Sequence, residues 1–406
     1  MLPIDDILES LDLSRAQPGI GFLEALFARF NARVPFESAS KILRDAEVED
    51  RDAKPRPPEV FWADHLERGT GGTCFARVAA FDALITGLGF RSRRLLGRVE
   101  RDDDHSALEV ETPAGESIVD VGFPLPAVFG KGAGEIETPL GGLRVLPTER
   151  GLTVAFTEGV PEGPRGLEIF SAPVSDERFA EAWKRTFRRG SRFLSHVVLR
   201  RDLGNRVVSY AAGHIRVDDL HSRLRLPLAS ARRAATLAEL FEIDPDVLTR
   251  AFGIVQRDAD AETGAVGSLT AYLETSTDAA KALDAIASPA GYRRLVEGVA
   301  NVVSEEPTPS GFRLTLRAAG REGDPGGTLS EEVSPDLPAR RVDVDRKTES
   351  SISRSSYLVL ERSGKTYLLR EATLSGNRED LLRNDSLRGR LAGSLALDLL
   401  AWARML

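Results

Sequence analysis

Apolar residues recur at three- and four-residue intervals through Ile7, Leu8 and Leu11, through Leu23, Leu26, Phe27 and Phe30, and again along Cys74-Phe75-Ala76-Arg77-Val78-Ala79-Ala80-Phe81-Asp82-Ala83-Leu84-Ile85. That period predicts a helical domain over residues 1–88, interrupted by a loop at Pro55, Pro57 and Pro58. From residue 91 to about 170 the period falls to two, in stretches such as 92–99, 105–111, 117–121 and 151–156 separated by Gly and Pro. Short alternating stretches of this kind predict a barrel-like β domain over 89–175. A helix over 175–188, strands over 193–200, 206–211 and 213–217, and a helix over 237–251 make a third, mixed subdomain, 176–253. Charged and small residues, among them Asp258, Asp260 and Glu262, predict a linker over 254–267. The remainder, 268–406, predicts a strand over 268–275, a helix over 278–287, and strands over 302–305, 311–317, 355–360 and 366–374. A helix over 380–405, with Leu387, Leu391, Leu395 and Leu399 on one side, closes it. The fold class is therefore α+β, in several domains.

A length of 406 residues is more than one core ordinarily fills. With 42% hydrophobic and 29% charged residues the chain has the composition of a globular protein, and the final apolar stretch, interrupted by Asp398 and Arg404, is too short to span a bilayer. A net charge of −8 argues against a general nucleic-acid binder, which presents a basic face to phosphates. The acidic start, Met1-Leu2-Pro3-Ile4-Asp5-Asp6, lacks the pattern of a signal peptide. A single cysteine permits no internal disulfide, and these features together place the expectation in a reducing cytoplasm, away from membranes.

That cysteine, Cys74, follows Gly71-Gly72-Thr73, with Thr73 in the position of an N-cap. The sulfur then lies on the first turn of a helix, where the free N–H groups and the dipole favour the thiolate, the form that attacks a carbonyl. A lone cysteine at such a place also suits a small buried hydrophobe. Downstream, His105 opens one strand and Asp120 ends the next. Cysteine, histidine and aspartate so arranged form the set in which imidazole takes the thiol proton and carboxylate orients the imidazole. A hairpin with its tip at 113–116 would set Asp120 near Glu109, so joining it to His105 requires a staggered register or a neighbouring strand. Asp102-Asp103-Asp104 fits either a charge that favours protonated His105 or a solvated loop. His214 and His221, flanking Asp218 and Asp219, do not have the spacing of a metal site, and no metal is expected. Thr70-Gly71-Gly72-Thr73 lacks the Gly-Lys-Ser/Thr ending of a phosphate loop.

Residues 23–38 ending in Val34-Pro35-Phe36-Glu37-Ser38, then Gly71-Gly72-Thr73-Cys74-Phe75, Leu88-Gly89-Phe90, His105 and Val119-Asp120-Val121-Gly122-Phe123 resemble, in order, the motifs of the arylamine N-acetyltransferases, to about residue 253. The resemblance implies a helical bundle, a β-barrel and a small α/β lid. It implies Cys74, His105 and Asp120 as catalytic residues, with Phe36, Phe123, Thr73 and Gly122 at the substrate. It also implies acetyl-coenzyme A as acyl donor and a small arylamine, hydrazine or related amine as acceptor. Departures are Thr70 for the family's arginine, Ala76 and Val78 for its glutamate and asparagine, Phe30 and Asn31 where it favours histidine, and Pro124 for a glycine. They bear on the substrate more than on the reaction type, because supporting groups hold catalytic side chains in place. Residues 268–406 are similar, in element order alone, to the helix-grip domains of the START and polyketide-cyclase group, which implies an apolar ligand between sheet and helix. Three further functions fit the same residues. One is an amide synthase of a natural-product pathway, another is a cysteine hydrolase of transglutaminase-like chemistry, and the last is a binding protein without catalysis.

Overall fold

The computed structural model describes residues 2–123, 125, 127–132, 134–157, 166–172, 174–228, 230–255, 267–296, 300–318, 328–347, 352–362, 365–374 and 385–406. The chain divides into two compact units, Met1–Leu220 with Pro227–Thr263, and His221–Leu226 with Gly264–Leu406. Most of the expected linker, residues 256–266, lies outside the described residues, as does Pro124.

In the first unit the helices Ile4–Ser10, Ile20–Arg33, Ala39–Glu47, Pro58–Arg68 and Cys74–Gly87 bear out the 3.6-residue period. Ile7, Leu11, Leu23, Leu26, Phe30, Phe61, Trp62 and Phe81 are buried together. Trp62 meets Phe30 edge-on at 5.8 Å and donates its indole N–H to the Ala80 carbonyl at 3.0 Å, so its polar end is satisfied inside the core. The barrel-like sheet has eight antiparallel strands in the order Phe129–Gly130, Gly115–Val119, Asp102–Thr112, Arg91–Arg98, Gly166–Phe170, Gly151–Phe156, Gly141–Thr148, Gly134–Thr138. Leu95, Ala107, Ile118, Leu143, Val154 and Ile169 fill its interior. A second antiparallel set joins Phe36–Glu37, Leu199–Asp202, Arg206–Ala211 and His214–Asp219.

Two expectations fail in this unit. The strand expected over 193–200 is instead a short helix, Arg192–Ser195, followed by the strand Leu199–Asp202. An apolar run this short carries no period of its own, and the turn bond from Leu194 N–H to the Ser191 carbonyl, 2.9 Å, decides it. The helix expected over 237–251 is two, Ser230–Phe241 and Pro245–Ile254. Glu242 has a left-handed φ of +57°, Asp244 caps the second helix through Asp246 N–H, and Pro245 occupies its first position, where proline is preorganised.

In the second unit, strands Ser222–Pro227, Gly267–Thr275, Lys365–Leu374, Ile352–Arg362, Arg341–Lys347, Thr328–Asp336, Gly311–Ala318 and Ala300–Thr308 run antiparallel, each to the next. The strand Ser222–Pro227 precedes two helices of the first unit in the chain, yet its partner is Gly267–Thr275. The strands Thr328–Asp336 and Arg341–Lys347 escaped the pattern because Glu331, Glu332, Asp343 and Asp345 interrupt their apolar positions. The long helix is Asp385–Ala403 and packs on Gly267–Thr275 and Lys365–Leu374. Its buried stripe is Leu395, Leu399 and Trp402, whereas Leu391, expected on that side, is exposed. Inside this unit Glu331 accepts the Tyr292 hydroxyl at 3.0 Å and Arg346 Nε at 2.7 Å. Burial raises the Tyr292 phenol well above its ordinary pKa.

Candidate active site

The turn before Cys74 is shaped by a close approach of two backbones. A Cβ on Gly71 would overlap the Pro35 carbonyl, and Glu37 N–H donates to the Gly72 carbonyl at 3.1 Å, so the loop lies directly on residues 35–37. Thr73 then holds the extended N-cap conformation, φ −83° and ψ 177°, although its hydroxyl makes no capping bond. Cys74 opens the helix and is 8% exposed. Its Sγ lies 3.9 Å from the Asp104 carbonyl.

His105 and Asp120 come from a hairpin tighter than expected. Thr112 pairs with Gly115 around a two-residue turn, and Leu108 pairs with Val119. Continuing that register places Asp120 opposite Ala107, so His105 is its diagonal neighbour on the same face. No staggered register or third strand is needed. The expected tip was two residues too wide, a shift that preserves faces but changes partners. His105 Nε2 meets Asp120 Oδ2 at 2.7 Å, and Asp120 Oδ1 accepts the N–H groups of Gly122 at 2.9 Å and Phe123 at 2.7 Å. Burial pulls the His105 pKa down, but the charge and hydrogen bond of Asp120, followed by the hydrogen bond and charge of Cys74, outweigh it and raise the group to about 10. The imidazole, bonded to the carboxylate and close to the sulfur, therefore holds its proton firmly at neutral pH.

The neighbouring aspartates do other work. Asp104 accepts the N–H groups of Val99, Glu100 and Arg101, Asp103 pairs with Arg178 and Arg185, and Asp102 pairs with Arg150. Of the four residues expected at the substrate, Phe123 stands edge-on to His105, 6.3 Å between ring centres. Phe36 packs on Phe193 at 5.4 Å. Thr73 is buried beside Cys74, and Gly122 lies in the gap between Cys74 and His105.

Arg77 went unnoticed in the sequence. Fully buried, it donates from Nε to the Val121 carbonyl at 2.7 Å, from Nη2 to Asn31 Oδ1 at 2.7 Å, and from Nη1 to the Val34 carbonyl. It thus ties the Cys74 helix to the chain just after Asp120, at the level where Ala76 and Val78 leave the expected polar groups missing. Burial lowers its pKa to about 9. A basic residue inside a largely apolar helical run is the available signal. Among the described residues no group of three or more His, Cys, Asp or Glu stands ready to hold a metal ion.

Two buried histidines give the stability opposite pH dependences. His65, at 2.9 Å from the Thr70 carbonyl, is lowered to about 4 by burial, so its contribution is whole above about 6.5 and is lost as pH falls toward 4. His105 is raised, so its contribution is whole below about 6.5 and is lost as pH rises toward about 10. Melting temperature should peak near neutrality, and His65→Phe should flatten the acid side alone. An acid limb unchanged by that substitution would contradict the assignment.

Residues 20–130, which hold every residue named above as catalytic or at the substrate, match the N-acetyltransferase family model. An arylamine N-acetyltransferase of Mycolicibacterium smegmatis is 34% identical over 120 residues, 27% of this chain and 42% of the relative, so the matched sequence spans less than half of that protein. In fold, the M. smegmatis arylamine N-acetyltransferase structure superposes with a TM-score of 0.54 at 21% identity, over 63% of this chain and 99% of that one. The Mycobacterium marinum arylamine N-acetyltransferase in complex with CoA does so with 0.54 at 18%, over 63% and 98%. The chain thus resembles the arylamine N-acetyltransferases in sequence over residues 20–130 and in fold over about six-tenths of its length.

Proposed function

We propose that the first unit is a cysteine-dependent acyltransferase using Cys74, His105 and Asp120. The observation that carries this reading is a buried imidazole bonded to a buried carboxylate, with the lone cysteine at a helix start near enough for sulfur and imidazole to interact. His105 has taken the Cys74 proton, Asp120 stabilises the imidazolium, and the Cys74 thiolate attacks the carbonyl of a coenzyme A thioester. Backbone N–H groups at the helix start face the oxyanion. The coenzyme A sulfur leaves with the proton from His105, and Cys74 keeps the acyl group. An arylamine or hydrazine then attacks that thioester, its proton returns through His105 to the Cys74 sulfur, and the amide departs. Phe123 and Phe36 fit the walls for a flat acceptor. The second unit, by its element order, fits a helix-grip-like module for an apolar ligand, separate from the transfer step.

Intact-mass spectra after incubation with acetyl-coenzyme A and longer acyl homologues test this reading. A gain of one acyl group, located on Cys74 and discharged by an arylamine, is expected. Labelling by peptide amides but by no thioester would instead indicate hydrolase chemistry, and inertness to both a binding protein.

A further inference from the structure

Thr73 and Ala76, on either side of Cys74, line a small cavity whose charged lining is entirely basic: Lys41, Arg44, Lys54 and Arg56. It offers about 20 Å³ of interior space, room for a group of about one water's size, within a hollow of about 280 Å³ that includes open solvent. Three of the four cations are accounted for. Arg56 pairs with Asp64 at 2.9 Å and donates to the Gly71 carbonyl, Lys54 pairs with Asp45 at 2.5 Å, and Arg44 donates to the carbonyls of Lys54 at 2.9 Å and Ala53 at 2.7 Å. Lys41 differs. It is 6% exposed, yet among the described residues it forms no ion pair. Its ammonium donates to the Thr186 hydroxyl at 2.7 Å and sits 4.7 Å above the Phe187 ring, leaving two N–H groups for something else. It lies near enough to Cys74 for their charges to interact. No carboxylate bonds it directly, Asp45 being paired with Lys54, and burying a cation costs several kcal/mol of desolvation, which an anion on its two remaining N–H groups would offset.

We propose that Lys41 anchors a carboxylate on the reacting substrate, so that the site favours an acyl donor or an amine acceptor carrying that group over its neutral counterpart. The proposal rests on the acyl-transfer reading for its substrates, though not for its first test. Iodoacetate and iodoacetamide alkylate the same sulfur, so their rate ratio cancels the thiolate fraction and reports the charge beside it. The ratio for Cys74 should exceed that of a free thiol by about tenfold, equivalent to one pKa unit of interaction, and Lys41→Met should remove the excess. The wild-type protein offers a check that needs no variant. Burial lowers Lys41 to about 8 against the charges of Cys74 and Asp45, so the ratio should fall as pH rises through that value. The facing Trp183, Thr186 and Phe187 carry no charge, and His105, the cation on the other side of Cys74, is raised to about 10 by Asp120 and Cys74 and so titrates above that window.

Two substrate arms then locate the carboxylate. Malonyl- against butyryl-coenzyme A reads the donor, and 3-aminobenzoate against 3-toluidine reads the acceptor. A preference that drops about tenfold in Lys41→Met, on either arm, supports the proposal and names the source. An alkylation ratio unmoved by both Lys41→Met and pH overturns it, and so do two unmoved arms in a protein that transfers acyl groups. If the ratio moves as expected but no thioester acylates Cys74, the transfer reading fails while the anion anchor stands.

Discussion

Cys74→Ala is expected to end acylation altogether, and Asp120→Asn to slow it by on the order of 10⁴-fold while the sulfur stays in place. Both oxygens of Asp120 are committed, one to His105 Nε2 at 2.7 Å and the other to the N–H groups of Gly122 and Phe123. An asparagine amide can satisfy one side only. With its oxygen toward the two backbone donors, its NH₂ faces the imidazole and forces Nε2 to accept, which places the ring proton on the side of Cys74. The imidazole can then no longer take the thiol proton. With the amide reversed, NH₂ confronts two buried N–H groups, at the cost of unsatisfied donors. Single-turnover acylation, with circular dichroism to show the fold retained, measures the loss. Transfer within tenfold of wild type in Asp120→Asn would sink the triad.

The second large effect is expected from one methyl group. Gly122→Ala places a Cβ 2.7 Å from the Ser106 carbonyl oxygen, 3.0 Å from Cys74 Cβ and 3.2 Å from His105 Cε1. The carbonyl belongs to backbone, and Gly122 N–H is held by Asp120, so the chain has little freedom to retreat. Relief comes by moving sulfur and imidazole apart, and a displacement of about 1 Å at reacting groups costs on the order of 10²-fold. The loss should fall on kcat with little change in KM. Gly130→Ala, at a site with nothing within 4 Å of the new Cβ, should leave both constants alone. Equal behaviour of the two variants would remove Gly122 from the argument.

The sequence made legible those features that a local pattern specifies. The Cys74 helix, the hairpin of His105 and the helix opened by Asp278, whose carboxylate caps Ala280 and Lys281, follow from period and end signals. Register was harder, since the turn at Pro113-Ala114 decides whether Asp120 faces Glu109 or lies diagonal to His105, and four consecutive turn-like residues do not say which pair is the tip. Least legible were buried charges. Lys41 stands in ordinary amphipathic sequence and Arg77 in a largely apolar run, and what distinguishes them is the lack of a directly bonded carboxylate at one and the three acceptors around the other. Both are properties of segments distant in the chain, Thr186 for Lys41 and Val121 for Arg77.

The strand Ser222–Pro227 fixes an order of events during synthesis. It leaves the ribosome before the helices Ser230–Phe241 and Pro245–Ile254 that complete the first unit, whereas its partner, Gly267–Thr275, is made after them. The sheet beyond that partner closes only with Lys365–Leu374. At about 5–20 residues per second the interval is on the order of 10 s. During it the nascent chain carries one unpaired strand edge, the kind of template that recruits other chains. Arg223 and Arg225 alternate along that strand with Leu224 and Leu226, the kind of charge that disfavours edge-to-edge pairing.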